Sequence, residues 1–121
     1  MLKRVTRQEA QVFHLPGRDF YLYLGEPGGE AKNLAFGVVT FPAGSAPEGH
    51  IHPSEEEVIH VVSGSGKLVT PEGTATLEPG TTVYIPPGLH HATACTGTEP
   101  LTMVSVFSPP TVPGSYEAGR P

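Results

Sequence analysis

Gly44-Ser45-Ala46-Pro47-Glu48-Gly49-His50-Ile51-His52-Pro53-Ser54-Glu55-Glu56-Glu57 decides how the chain is read, together with Pro86-Pro87-Gly88-Leu89-His90-His91 further along. His50 and His52 stand one residue apart, so on an extended backbone both imidazoles project from the same face and form a chelate. Glu57 follows after a short turn begun by Pro53 and Ser54, and the second segment adds a histidine beside a Pro-Gly turn. Imidazole and carboxylate groups from separate strands, converging inside β-structure, are the ligand set of a divalent transition metal.

With 121 residues the chain has room for one domain with a core and too little for two. Fifteen glycines and fourteen prolines, with no repeat or low-complexity tract, describe a chain full of turns. A net charge of −5 argues against a nucleic-acid partner, whose binding needs clustered cations. The one basic cluster, Lys3, Arg4 and Arg7, reads as a solvated arm. A single cysteine, Cys95, cannot form an internal disulfide, so a reducing cytoplasm suits the chain. There is no signal-peptide core and no apolar run of membrane length, so no membrane partner is expected.

Residues 1–10 are polar and read as an arm or a short helix. Strand-like runs then follow at 11–15, 19–24, 34–41, 58–63, 67–70, 74–77, 82–85, 90–96 and 101–107. Turn signals such as Pro16-Gly17, Gly64-Ser65-Gly66, Pro71-Glu72-Gly73 and Pro79-Gly80 separate them. Apolar helical periodicity never lasts beyond two turns, so the fold class is all-β, a sandwich or a barrel. An immunoglobulin-like sandwich lacks support, because the chain has no tryptophan and no second cysteine. The proline-rich stretch 108–121 reads as an extended tail with little to pack, leaving residues 1–107 as the domain. Tyr116 and the tail are weighed as a possible gate over the barrel mouth.

Both segments resemble the two signature motifs of the cupin superfamily, most closely its small single-domain members. The first motif reads Gly44, His50, His52, Glu57, Gly64; the second reads Gly80, Pro86, Gly88, His91, with Cys95 where the family has asparagine. The resemblance covers residues 44–95 and implies a small jelly-roll β-barrel. Cys95 departs from the pattern and reads as a small buried residue, with a thiol near the site as the alternative.

Within the acidic run, alternation puts Glu56 on the opposite face from Glu55 and Glu57. The spacing to Gly64 and the shared face with Ile59 and Val61 select Glu57 as the inward residue. Glu55 and Glu56 are then solvated, with Glu55 able to support the ligands from behind. The gap after Gly88 selects His91 over His90, which falls on the rim. His14 and His60 read as structural. His50, His52, Glu57 and His91 are thus the expected metal ligands, since burying four such groups without a cation costs several kcal/mol.

Three imidazoles and one carboxylate would saturate tetrahedral zinc, whereas six-coordinate Fe(II), Mn(II), Ni(II) or Co(II) would keep two neighbouring positions open. The resemblance favours iron or manganese. Open positions invite a small ligand with two oxygens: an α-keto or α-hydroxy acid, a diketone, an enediol or a sugar derivative. A dioxygenase, decarboxylase, isomerase or lyase follows from the resemblance, with Glu57 or a bound water as general base. A non-catalytic module that senses such a ligand is the alternative, less favoured because no DNA-binding segment accompanies the barrel; a structural protein is a third. Uncovered sheet edges, and the habit of the family, imply a homodimer.

Overall fold

A computed structural model describes residues 1–115. Its strands are β1 (Gln11–Leu15), β2 (Arg18–Leu24), β3 (Ala35–Phe41), β4 (Glu56–Ser63), β5 (Gly66–Thr70), β6 (Gly73–Leu77), β7 (Thr82–Ile85), β8 (Ala92–Cys95) and β9 (Leu101–Ser108). All pairings are antiparallel. One sheet of six strands runs β1-β2-β3-β9-β4-β7, and one of three runs β6-β5-β8. These two sheets face each other as a jelly roll, the expected all-β class. The elements lie where the sequence places them, apart from one or two residues at their ends.

Alternation builds the core. In β9 the residues Leu101, Met103, Ser105 and Phe107 are buried and their neighbours are not, and β3 repeats the pattern with Ala35, Val39 and Phe41. β5 and β8 close the other side with Leu68 and Cys95, and Leu77 of β6 is fully buried. Each large apolar side chain so enclosed stabilises the fold by about 1.5–3 kcal/mol. Phe20 and Phe107 meet at 6.1 Å between ring centroids at the centre of the larger sheet.

β4 lies between β9 and β7, with Glu57 opposite both Phe107 and Ile85. Because strand residues alternate, Glu57, Ile59 and Val61 all face inward, and a carboxylate is thereby placed in the middle of an apolar interior.

Of the two alternatives for the N-terminus the arm is the one that forms, and the tail differs from expectation. Residues 7–9 form a single turn and not a helix, since only Glu9 and Ala10 find backbone acceptors there, on Thr6 and Arg7. The turn is closed by Glu9, whose Oε1 accepts from the Thr6 backbone N–H and hydroxyl at 2.9 Å. The basic arm is exposed at Lys3, Arg4 and Arg7, as expected, and makes surface contacts: Lys3 lies 2.6 Å from Glu30, and the Arg7 guanidinium sits 4.1 Å from the centre of the Tyr21 ring. The start of the tail packs as well. Ser108 Oγ donates to Asn33 O at 2.6 Å, and Pro113 and Gly114 are buried, Gly114 against Leu15. Small residues allow that approach even where long side chains are lacking. Tyr116, the gate considered above, lies outside the described residues. Among the described residues no helix is long and apolar enough to cross a membrane.

Candidate metal centre

The two motifs are stitched together by backbone hydrogen bonds. The N–H of His50 donates to His91 O and the N–H of His91 donates to His50 O, each at 3.0 Å, and Gly88 N–H donates to His52 O at 2.8 Å. His50 and His91 form an isolated antiparallel bridge, so their side chains leave the backbone on the same side. The first motif is thus not a continuous strand; one bridge does the aligning. Gly49 permits it, because a Cβ at that position would stand 2.4 Å from His91 O and 2.5 Å from the His90 ring. Ile51, between the two histidines, faces outward and is 44% exposed.

Through this framework His50, His52, Glu57 and His91 come together, with one ligand atom from each lying within 4.8 Å of all the others. His52, Glu57 and His91 are buried and His50 is half-buried. Glu57 Oε1 is 3.2 Å from His52 Nε2 and 3.2 Å from His91 Nε2. The three imidazoles pack edge to face or tilted, with centroids 4.5–5.2 Å apart, and Phe107 supports His52 from behind at 4.8 Å.

The tautomer of His91 follows from its partner. Its Nδ1 is 3.0 Å from Leu89 O, and a carbonyl only accepts, so Nδ1 carries a hydrogen. In the neutral ring Nε2 is then a bare lone pair, aimed at a carboxylate oxygen that is also an acceptor. Two acceptors 3.2 Å apart repel unless a cation, whether a proton or a metal ion, lies between them. Ser105, missed in the sequence reading, holds the other carboxylate oxygen: its Oγ donates to Glu57 Oε2 at 2.7 Å from the diagonal position on β9. Oε1 is thereby left to face the histidines, and the donor set fits a divalent transition metal.

The electrostatics agree. Burial, then the neighbouring His91 and His52, pushes His50 down to about 3, so it stays neutral and available as a ligand. For Glu57 burial opposes ionisation, but hydrogen bonds with His52 and His91 overcome it and hold the carboxyl well below its ordinary value. Burial likewise opposes a charge on His91, yet the Glu57 carboxylate raises its pKa above 6.5.

The other sequence candidates stay outside. His90 and Glu56 are exposed, and Glu56 accepts from Tyr84 Oη at 2.7 Å. Glu55 precedes β4 and does not join the cluster. His14 lies 2.7 Å from Asp19, and His60 Nδ1 lies 2.7 Å from Thr82 Oγ1, both on the outer surface. Cys95 is buried, with its thiol donating to Glu99 O at 3.3 Å, a structural placement. Arg18 was not anticipated. It is 6% exposed and lines the same cavity as His50, Glu57 and His91. Its signal lay in β2, where Arg18 shares the inward face with Phe20 and Leu22.

Comparison with known proteins agrees with this architecture. Residues 37–107 match the model of the cupin domain. Over 67 residues the chain is 37% identical to glucose-6-phosphate isomerase of Thermococcus onnurineus, a match covering 50% of this chain and 35% of that protein. The chain therefore spans about a third of the length of the curated relatives it matches. Among solved structures, the polyketide cyclase RemF from Streptomyces resistomycificus superposes with a TM-score of 0.74 at 24% identity, covering 91% of this chain and 83% of that one. KdgF from Halomonas sp. does so with a TM-score of 0.76 at 19% identity, covering 92% and 96%. A jelly roll whose two motif loops are bridged through His50 and His91, matched by the family model over most of its strands, makes this chain a member of the cupin family.

Proposed function

We propose that the protein is a metal-dependent enzyme acting on a small oxygen-rich acid, diketone or sugar derivative. The observation that carries this reading is the facing pair of acceptors, His91 Nε2 and Glu57 Oε1, inside a cluster that also contains His50 and His52. Those four residues would hold one divalent ion, with iron or manganese favoured and nickel, cobalt or zinc as alternatives. When bound, such an ion acts as a Lewis acid, drawing electron density from substrate oxygens and easing the build-up of negative charge on them.

The chain's own residues supply the rest. Ser105 fixes Glu57 so that one oxygen is engaged and the other faces the histidines, where it would help hold the ion, and Leu89 O fixes the ring of His91. Walls made of Phe20, Val39, Phe41, Ile59 and Met103 exclude bulk water and strengthen each charge interaction inside. Glu57 is the one carboxylate lining the cavity among the described residues. Its lowered pKa suits a ligand and makes it a weak proton acceptor. Sugar-phosphate isomerisation, the reaction named for one similar protein, is a reaction in which negative charge builds on an oxygen beside the reacting carbon. That demand supports an enolate-type reaction here.

One observation favours a non-catalytic binding module instead: apart from Arg18 and the ligand cluster, no titratable side chain lines the cavity among the described residues. The test separates the two. Metal-stripped protein is reloaded with Fe(II) or Mn(II), its metal content is measured, and candidate acids, diketones and sugar derivatives are followed both for turnover and for thermal stabilisation. One ion per chain with turnover supports the enzyme, and stabilisation without turnover supports the binding module. Retention of metal by both His91→Ala and Glu57→Gln would sink the metal centre itself.

A further inference from the structure

β6 and β7 end their respective sheets and do not pair with each other, so a seam runs between them along one side of the barrel. At that seam lies a groove that offers about 270 Å³ to the centres of water molecules. Leu68 of β5, Ala75 of β6, Val83 and Ile85 of β7, and Leu89 of the second motif wall it in. Alternation explains the apolar lining, because these positions on the three strands point between the sheets and belong to the core or pack against it. Ala75 leaves the room. It stands opposite Leu68 in the strand register, and its single methyl group leaves open a gap that a larger residue would fill. At the rim, a Cβ on Gly73 would meet nothing within 4 Å, so the groove is open there.

The groove adjoins the metal centre. Leu68 and Ile85, each 2% exposed, line both it and the cavity around His50, Glu57 and His91, and Ile85 stands directly opposite Glu57 in the strand register. Leu89 is a second link, since its carbonyl holds the His91 ring. The two spaces differ in size. The inner cavity offers about 30 Å³ to water centres, the room of about two waters, enough for a pair of ligand oxygens and little more. The rest of a ligand held there needs space elsewhere, and the groove supplies several times as much behind the same two side chains. Glu72 is the one charged side chain lining the groove among the described residues, and its carboxylate disfavours an anionic arm.

We propose that this groove binds an uncharged alkyl or aryl arm of the substrate, whose oxygen-bearing end lies at the metal centre, with Leu68 and Ile85 turning aside to let the two parts join. The inference rests on the metal-centre reading above and narrows its substrate class to molecules with an apolar arm, away from free sugars and the smallest acids. Each methylene placed in the groove should raise affinity about fourfold.

The experiment compares acetohydroxamate with hexanohydroxamate, which share one metal-binding pair of oxygens and differ only in the length of the alkyl chain. Binding of each is measured by titration calorimetry to wild-type protein and to Ala75→Leu, both loaded with Ni(II), and Ni(II) binding is measured separately on both proteins. Wild type should bind hexanohydroxamate about tenfold or more tightly than acetohydroxamate. Ala75→Leu should abolish that preference, with acetohydroxamate and Ni(II) affinities unchanged. If Ala75→Leu does not fold, Val83→Phe, which fills the groove from the opposite wall, decides in the same way. No preference in wild type, or a preference that survives the filled groove, overturns the assignment. A lower mass for Ala75→Leu than for wild type in light scattering, with the preference intact, would give the groove to a second copy of the chain and overturn it too. Should wild type fail to bind Ni(II), the metal reading falls, and the groove is judged on the metal-free protein: hexanohydroxamate should shift the methyl resonances of Ala75, Val83 and Leu89, and no shift overturns the assignment.

Discussion

Ser105 shows how much one hydroxyl can decide. Without its hydrogen bond, Glu57 could swing either oxygen toward the histidines or away from them, and the ion would meet a mobile ligand. Ser105→Ala should therefore lower divalent-metal affinity about 10- to 100-fold while leaving the fold intact, as measured by competition with a chelating dye. The pH dependence follows from the same residues. His91 has a raised pKa, so near neutrality part of the metal-free protein holds a proton where the ion would sit. Metal binding should release that proton, and affinity should climb as pH rises from 6 to 8; calorimetry in buffers of different ionisation heat measures the release. A proton release that does not vary over this range would contradict that placement of the proton.

Stability of the metal-free protein has its own sign. His50 falls to about 3 in the folded chain, chiefly through burial, so between its ordinary 6.5 and that value the unfolded chain binds more protons and acid favours unfolding. Glu57, held below its ordinary 4.5 against burial by His52 and His91, contributes stability above that value and loses it as pH falls further. His91 works in the opposite sense, stabilising below 6.5 and ceasing to do so as pH rises through its raised value. Acid titration followed by circular dichroism should show stability declining from pH 6 downward, dominated by His50 and then Glu57.

At the level of elements, the bridge between the two motif loops joins structure to chemistry. Residues 49–52 and 88–91 belong to none of the nine strands, yet three backbone hydrogen bonds align them. Gly49→Ala would push a methyl group to 2.4 Å from His91 O and separate the loops. Overpacking of this kind costs about 1–3 kcal/mol, which should lower the melting temperature by about 4 °C or more. Metal affinity should fall together with the melting temperature, because the same displacement moves His50 and His91 apart. Loss of stability with unchanged metal affinity would show that the bridge does not align the ligands.

Across the whole molecule, an ion held by the four residues would tie both sheets into one unit: Glu57 belongs to β4 of the larger sheet, and His91 immediately precedes β8 of the smaller. An ion bound only by the folded chain, at a hundred times its dissociation constant, stabilises by about 2.7 kcal/mol. Stripping with a chelator should accordingly lower the melting temperature by several degrees, and readdition of metal should restore it. Assembly is a second matter at this scale. β1 and β7 are the outer strands of the larger sheet, and Val12 of β1 is 41% exposed. We propose that a homodimer covers the β1 edge, as open strand edges favour pairing. Light scattering at micromolar concentration should give a dimeric mass, and a monomeric one would discard the proposal.

The linear sequence determined where strands and turns fall along the chain and which four residues converge, because alternation and glycine-proline punctuation are local properties that survive without any knowledge of neighbours. His50 and His52 follow from a one-residue gap that sets a face on extended backbone, whereas Glu57 is picked by its spacing to Gly64 and the face it shares with Ile59 and Val61, and His91 by the gap after Gly88. What only the folded molecule decided is who stands behind and beside them. Ser105 reaches Glu57 from a strand 48 positions away, and Arg18 arrives from the opening hairpin through a loop contact with Ser45. Such partners depend on strand pairing between distant segments, and no local pattern encodes which serine or arginine a given carboxylate or cavity will meet.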